Sequence, residues 1–168
     1  MDKRIISNNE IQRLVNKLCR DINLSKWKPD YIVGLTRGGL IPAVMISHYF
    51  NVPMHSLNVS LRDSDIGPES NCWMAEDAYG YMDSPKRILI VDDINDSGAT
   101  FNWIKQDWES SCSGEDRWKH VWGESTRFAV LFENLSSDFD KVSYFAEEIN
   151  KAENDVWIDF PWEDWWTK

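Results

Sequence analysis

Apolar positions along this chain recur in two rhythms, and their alternation predicts strands interleaved with helices. Ile11, Leu14, Val15 and Leu18 fall at helical spacing behind Ser7 and Glu10, a capping-box pair, so a helix is expected from there to about Asn23. Trp27, Pro29 and Asp30 turn the chain into a Tyr-Ile-Val-Gly-Leu-Thr strand over 31–36. Arg37, Gly38 and Gly39 follow, and then an apolar helix over 40–50 with Pro42 in its first turn. Residues 52–60 alternate as a strand should, whereas 61–86 are largely polar and predict a long loop, with only a weak pattern from Met74 to Ser84. Ile88, Leu89, Ile90 and Val91 form an uninterrupted apolar run, as a strand buried on both faces requires. Beyond it Phe101, Ile104 and Trp108 share one helix face. Residues 109–124 are polar and predict an exposed excursion despite Trp118 and Trp122. A second buried strand is expected over 127–132 and a shorter one over 141–145. Strands alternating with helices imply an α/β fold, a mainly parallel sheet with helices on both faces, closed by a small C-terminal hood.

Composition narrows the partners. The 168 residues suit a single domain over 1–168, with a core over about 1–132 and the hood over about 133–168. With 28 acidic against 18 basic residues, the net charge of -10 argues against nucleic acid. Cys19, Cys72 and Cys112 are odd in number and lack CxxC spacing, which fits reduced thiols in a cytoplasmic protein. His48, His55 and His120 show no zinc spacing. The first residues carry no secretory pattern and no apolar run is long enough to span a membrane, so no membrane partner is expected.

The chemistry concentrates at 88–100. Asp92 and Asp93 end the apolar strand, and side-chain alternation sends them to different sides of anything lying across the sheet. After them Asp96, Ser97, Gly98, Ala99 and Thr100 offer small side chains, hydroxyls and main-chain N–H groups at a helix start, a setting for a phosphate. The GxxxxGK[ST] pattern is absent, which argues against a P-loop triphosphatase. A merely acidic turn after a core strand is the competing reading, and the loop beyond the acids argues against it. Arg37, Gly38 and Gly39, between a strand and a helix start, suit a second anion.

These residues resemble a known family. An apolar strand, two acids, two spacers, then acid, Ser, Gly, Ala, Thr is similar to the phosphoribosyl-pyrophosphate (PRPP) signature of the type I phosphoribosyltransferases. Thr36-Arg37-Gly38-Gly39-Leu40-Ile41-Pro42 resembles the pyrophosphate loop of the bacterial xanthine-guanine members, and the stretch 155–163 resembles their base-binding hood. The resemblance implies a purine salvage transferase converting PRPP and a free 6-oxopurine into a nucleoside monophosphate and pyrophosphate. It implies a cis peptide at Thr36–Arg37, with Thr36 to Gly39 holding pyrophosphate, and residues 97–100 holding the 5'-phosphate. Asp92 and Asp93 would hold the ribose diol and Mg2+, and Asp96 would be the general base. Trp157 would stack on the purine, with Ile158 beside it bonding the ring through its main chain. Trp162, Trp165 and Trp166 are expected in the core or an interface instead. The same resemblance makes 61–86 a closing loop, with Ser60 and Arg62 its expected contacts, and implies a homodimer or homotetramer.

One departure bears on specificity. The 6-oxopurine enzymes carry a lysine two residues beyond the strand that here ends at Phe132, and this chain has Asn134. A lysine only donates and so selects an oxo group, whereas an asparagine amide donates or accepts. Losing that charged hydrogen bond would forgo about 1.5 to 3 kcal/mol. Adenine or a modified purine therefore stays open as the base, as does a non-catalytic sensor of PRPP or nucleotides.

Overall fold

The computed structural model describes residues 1–59, 68, 71–81 and 83–168. Five parallel strands form the central sheet in the order β3 (Met54–Asn58), β2 (Tyr31–Thr36), β4 (Ile88–Asn95), β5 (Thr126–Asn134) and β6 (Tyr144–Ile149). Side-chain alternation explains why the central strands are apolar throughout. In β4, Leu89 and Val91 face one core and Ile88 and Ile90 the other, and β5 divides in the same way between Ala129 and Leu131 on one side and Phe128 and Val130 on the other. Helices α1 (Asn8–Leu24) and α2 (Leu40–Phe50) supply residues such as Leu18, Ile22 and Ile46 to the first core. Helices α3 (Cys72–Tyr79) and α4 (Ala99–Ser111), with the short α5 (Glu115–Trp118), cover the second. The expected capping box is half realised, since Ser7 Oγ accepts from the Glu10 N–H at 3.1 Å.

Strand order reverses direction at β2 and β4, which are neighbours although β3 lies between them in sequence. Their following helices leave to opposite faces. A crevice at the carboxyl ends of β2 and β4 results, the place where open α/β sheets bind ligands.

Three expectations are corrected. Residues 72–79 are helical: Asn71 Oδ1 accepts from Met74 N at 3.2 Å, Gly80 closes the helix with φ 76°, and Met74, Ala75 and Ala78 are buried. The expected contacts Ser60 and Arg62 lie outside the described residues. The division at residue 132 also moves. Strand β6 belongs to the main sheet, and the hood is a separate two-stranded parallel sheet in which β7 (Val156–Asp159) pairs with β1 (Asp2–Ile5). Asp159, 3% exposed, pins this piece by accepting from Lys168 Nζ at 3.0 Å and pairing with Lys3 at 3.1 Å, and those cations pull its carboxyl below the usual range.

The excursion over 109–124 is the third. Rather than lying on the surface, Trp118, Val121 and Trp122 are buried in the second core. Trp118 stacks on Trp122, with centroids 5.4 Å apart and planes 15° from parallel, and its Nε1 donates to Cys112 O at 2.9 Å. Trp122 in turn lies over Phe128 of β5 and donates to Glu109 Oε1 at 2.8 Å. Trp118→Ala is therefore expected to cost about 3 to 5 kcal/mol in urea unfolding, the usual loss for a buried large aromatic. A loss under about 1 kcal/mol would return the segment to the surface.

Candidate active site

A cleft of about 320 Å³ opens at the end of β4. It is lined by Asp92 to Asn95, by the loop from Asp96 to Gly98 with the start of α4, and by Lys151 with Trp157, Ile158, Phe160 and Glu163 of the hood.

The loop is shaped from below. Gly98 has φ 89°, a left-handed conformation that side chains disfavour, and a Cβ there would stand 2.5 Å from Phe139 N. The turn after β5 is packed directly beneath: Asp138 N donates to Ser97 O at 2.9 Å, and Phe139 N to Ser137 Oγ at 3.1 Å. Buried Asn95 ties both sides together, donating to Glu133 Oε1 at 2.7 Å and Phe139 O at 3.1 Å while accepting from Ser137 Oγ at 3.0 Å. The N-cap of helix α4 is Gly98, which has no side chain to cap the first turn, and Ala99 N donates to Ser97 Oγ at 3.3 Å. Those N–H groups face the cleft rim with the positive end of the helix dipole, as an anion requires.

Asp92 and Asp93 are partly buried and, among the described residues, neither makes an ion pair. Burial pushes both carboxyls upward, Asp92 well above its usual range because the Asp93 charge adds to the effect. Glu163 is raised as well, first by burial and then by the charge of Asp93. Carboxyl groups with weakened ionisation thus line one cleft, which favours a donor-rich ligand there, or a cation that the ligand's own oxygens help to hold.

The loop after β2 approaches the same acids. The Thr36–Arg37 peptide is cis, as the sequence led us to expect. A Cβ on Gly39 would crowd the main chain of Leu35 and Val91, so that position requires glycine, and one on Gly38 would displace the Asp93 carboxylate. Thr36 Oγ1 donates to Asn58 Oδ1 at 3.2 Å, and Arg37 is exposed. None of residues 36–39 lines the 320 Å³ cleft; they sit across the acid pair from it.

At the other end, Trp157 is 46% exposed on the cleft wall, while Ile158 is buried in the first core and reaches the cleft from behind. Trp162 stacks on Phe160 at 4.8 Å, and Trp165 and Trp166 are exposed. Asn134 does not line this cleft. It is buried, off the cleft wall, and its amide is committed: Nδ2 donates to Asp96 O at 2.9 Å, and Oδ1 accepts from Lys151 N at 3.0 Å and Ser136 Oγ at 3.0 Å. The Asn134 amide is thus turned toward Asp96 and Lys151 rather than into the cleft.

Sequence reasoning missed Lys151 and Glu163. Lys151 Nζ donates to Asp96 Oδ2 at 3.0 Å and stands 5.8 Å from the Trp157 ring centroid. A signal existed, since Lys151 lies just past the carboxyl end of a sheet strand, but only if β6 is recognised through Ile149.

Comparison with known proteins agrees with this geometry. The model of the phosphoribosyl transferase domain matches residues 3–163. The chain is 26% identical to a xanthine-guanine phosphoribosyltransferase of Cereibacter sphaeroides, over 79% of this chain and 68% of that protein. It is 24% identical to a hypoxanthine-guanine phosphoribosyltransferase of Schizosaccharomyces pombe, over 94% and 87%. Among solved structures, a purine phosphoribosyltransferase from Pyrococcus horikoshii superposes with a TM-score of 0.68 at 25% identity, covering 98% of this chain and 96% of that one. The acid pair, the loop before α4 and the glycine loop with its cis peptide therefore stand within a fold those enzymes share, and the chain belongs to the phosphoribosyl transferase domain family.

Proposed function

We propose that this protein is a purine phosphoribosyltransferase that moves the ribose 5-phosphate of PRPP onto a free 6-oxopurine, releasing pyrophosphate. The observation that carries this reading is the cleft itself, in which the phosphate loop and the acid pair lie opposite an exposed Trp157 face. Residues 97–100 and the α4 N-terminus would take the 5'-phosphate. The carboxylates of Asp92 and Asp93 accept hydrogen bonds, which suits the two ribose hydroxyls. The main chain of 36–39 and the Arg37 guanidinium would receive the pyrophosphate, which carries away the bonding electron pair as carbon 1 of the ribose becomes cationic. The purine would lie on Trp157, where stacking is worth about 1 to 3 kcal/mol, and Asp96 would accept the proton that leaves its five-membered ring.

The acid pair also fits Mg2+. It offers hard oxygen donors that make no ion pair among the described residues, and since no set of three acidic, His or Cys ligands exists among those residues, oxygens of PRPP would complete the coordination. Bound there, Mg2+ would lend positive charge to the departing pyrophosphate. A homo-oligomer in the cytoplasm belongs to the same proposal; the three cysteines are free, and no helix among the described residues is long and apolar enough to cross a membrane.

The test is a panel of free bases (xanthine, guanine, hypoxanthine, adenine) with Mg2+ and PRPP, read by pyrophosphate release. Turnover with at least one 6-oxopurine is expected. PRPP binding without pyrophosphate release from any base would replace the enzyme with a sensor.

A further inference from the structure

We infer that Lys151, supplied by the turn between β6 and β7, reads the 6-oxygen of the base and restores the selectivity that Asn134 cannot provide. The inference rests on the purine reading above and names the residue that decides among purines. A purine presents its 6-substituent and ring nitrogen 7 on one edge; in the free base the proton of the five-membered ring can sit on nitrogen 7, beside the 6-oxygen acceptor. A carboxylate that receives the proton from nitrogen 7 and a donor that reaches the 6-oxygen must therefore be near neighbours. Asp96 Oδ2 and Lys151 Nζ are 3.0 Å apart, and both line the cleft. Among the described residues Asp96 is the only hydrogen-bond partner of that ammonium, which leaves donors for a ligand. Its 5.8 Å distance from the centroid of Trp157 puts it at the ring on which the base would stack.

The site is built to hold it. The Lys151 side chain is 16% exposed, and its main-chain N–H is fixed by Asn134 Oδ1 at 3.0 Å. Asn134 also holds the Asp96 main chain at 2.9 Å, so one buried amide sets the spacing between the proton acceptor and the ammonium. The residue at the end of β5 thus positions a lysine delivered by the neighbouring strand. An ammonium facing an oxo group gains a charged hydrogen bond, whereas facing a 6-amino group it meets another donor and leaves both unpaired.

Lys151→Met keeps the length and removes the donors. With wild type active on a 6-oxopurine, this variant should show a KM for that base raised roughly 10- to 100-fold, with the KM for PRPP and the melting temperature nearly unchanged, and a preference for oxo over amino bases reduced by a similar factor. Lys151→Arg should recover part of the preference, since it restores a cation and its donors. An unchanged oxo-to-amino ratio in Lys151→Met would overturn the inference. If the PRPP KM rose in parallel, Lys151 would be supporting the loop alone, which also overturns it. Should the wild type accept no base at all, the purine reading has failed, an outcome visible before any variant is made.

Discussion

The double variant Asp92→Asn/Asp93→Asn is expected to be more stable than the wild type without ligand and to lose PRPP. Both carboxyls are pushed up in the fold, by burial first and, for Asp92, by the charge of its neighbour. A group that binds its proton more tightly in the native state stabilises the fold when protonated, so native stability should fall as pH rises from the unfolded value of about 4 through the raised values. Neutral amides of the same shape remove that dependence and keep the main-chain bond that Asp92 Oδ1 accepts from Asp93 N at 2.9 Å. In a chelator at neutral pH the melting temperature should rise, by about 2 to 4 °C for each kcal/mol relieved in a chain of this size. PRPP with Mg2+ should do the reverse, stabilising wild type strongly and the variant hardly at all. Losing two hydrogen bonds to charged acceptors, at about 1.5 kcal/mol each, corresponds to at least about 100-fold in PRPP affinity. Thermal shifts with and without ligand measure both effects. A variant that melts lower in chelator, yet binds PRPP normally, would make the pair structural and empty the cleft of its assigned sugar.

How much of this was legible in sequence depends on how local each cause is. Strand β4, its two acids and the loop through Thr100 are set by neighbours along the chain, and the structure places them together at one cleft. The glycine loop was readable from its Thr-Arg-Gly-Gly wording between a strand and a helix, although the crowding at Gly38 and Gly39 comes largely from Asp93 and Val91 of the strand beside it. Strand β1 was not. Its residues Asp-Lys-Arg-Ile are mostly exposed and carry no alternation, and they extend only because β7, some 150 residues later, pairs with them. Strand β6 was placed at 141–145 instead of Tyr144–Ile149 because Glu147 and Glu148 break the apolar pattern at the sheet edge, and that early end left Lys151 in an apparent loop. Trp118 and Trp122 were misplaced because polar neighbours outnumber them, although two large rings were enough to draw the segment into the core. Asn134 shows the remaining limit: its type announced a departure, but only the three-dimensional pairing with Asp96 and Lys151 says what it does instead.

Asp96→Asn should lower kcat by roughly 100- to 10,000-fold, the range associated with a positioned general base, while leaving the KM for PRPP nearly unchanged. The carboxylate lines the same cleft as Trp157, with Oδ2 on Lys151 and its main-chain oxygen held by Asn134, and in the proposed function it would receive the proton of the base from there. An amide at this position keeps the shape and can still accept from Lys151, but it cannot take up a proton at neutral pH. Stability should not account for the loss, because the Asp96 side chain is 38% exposed and an ion pair in such a setting contributes about 0 to 1 kcal/mol. Two measurements separate proton transfer from anchoring. The acidic limb of the kcat profile, present when a carboxylate must be ionised, should vanish in the variant, and the oxo-to-amino preference should persist because Lys151 remains in place. If kcat fell less than about 10-fold and the preference collapsed instead, Asp96 would be the anchor of Lys151 and nothing more. The proton would then have to leave through water or the departing pyrophosphate, and the cleft would owe its catalysis to electrostatic support of that anion alone.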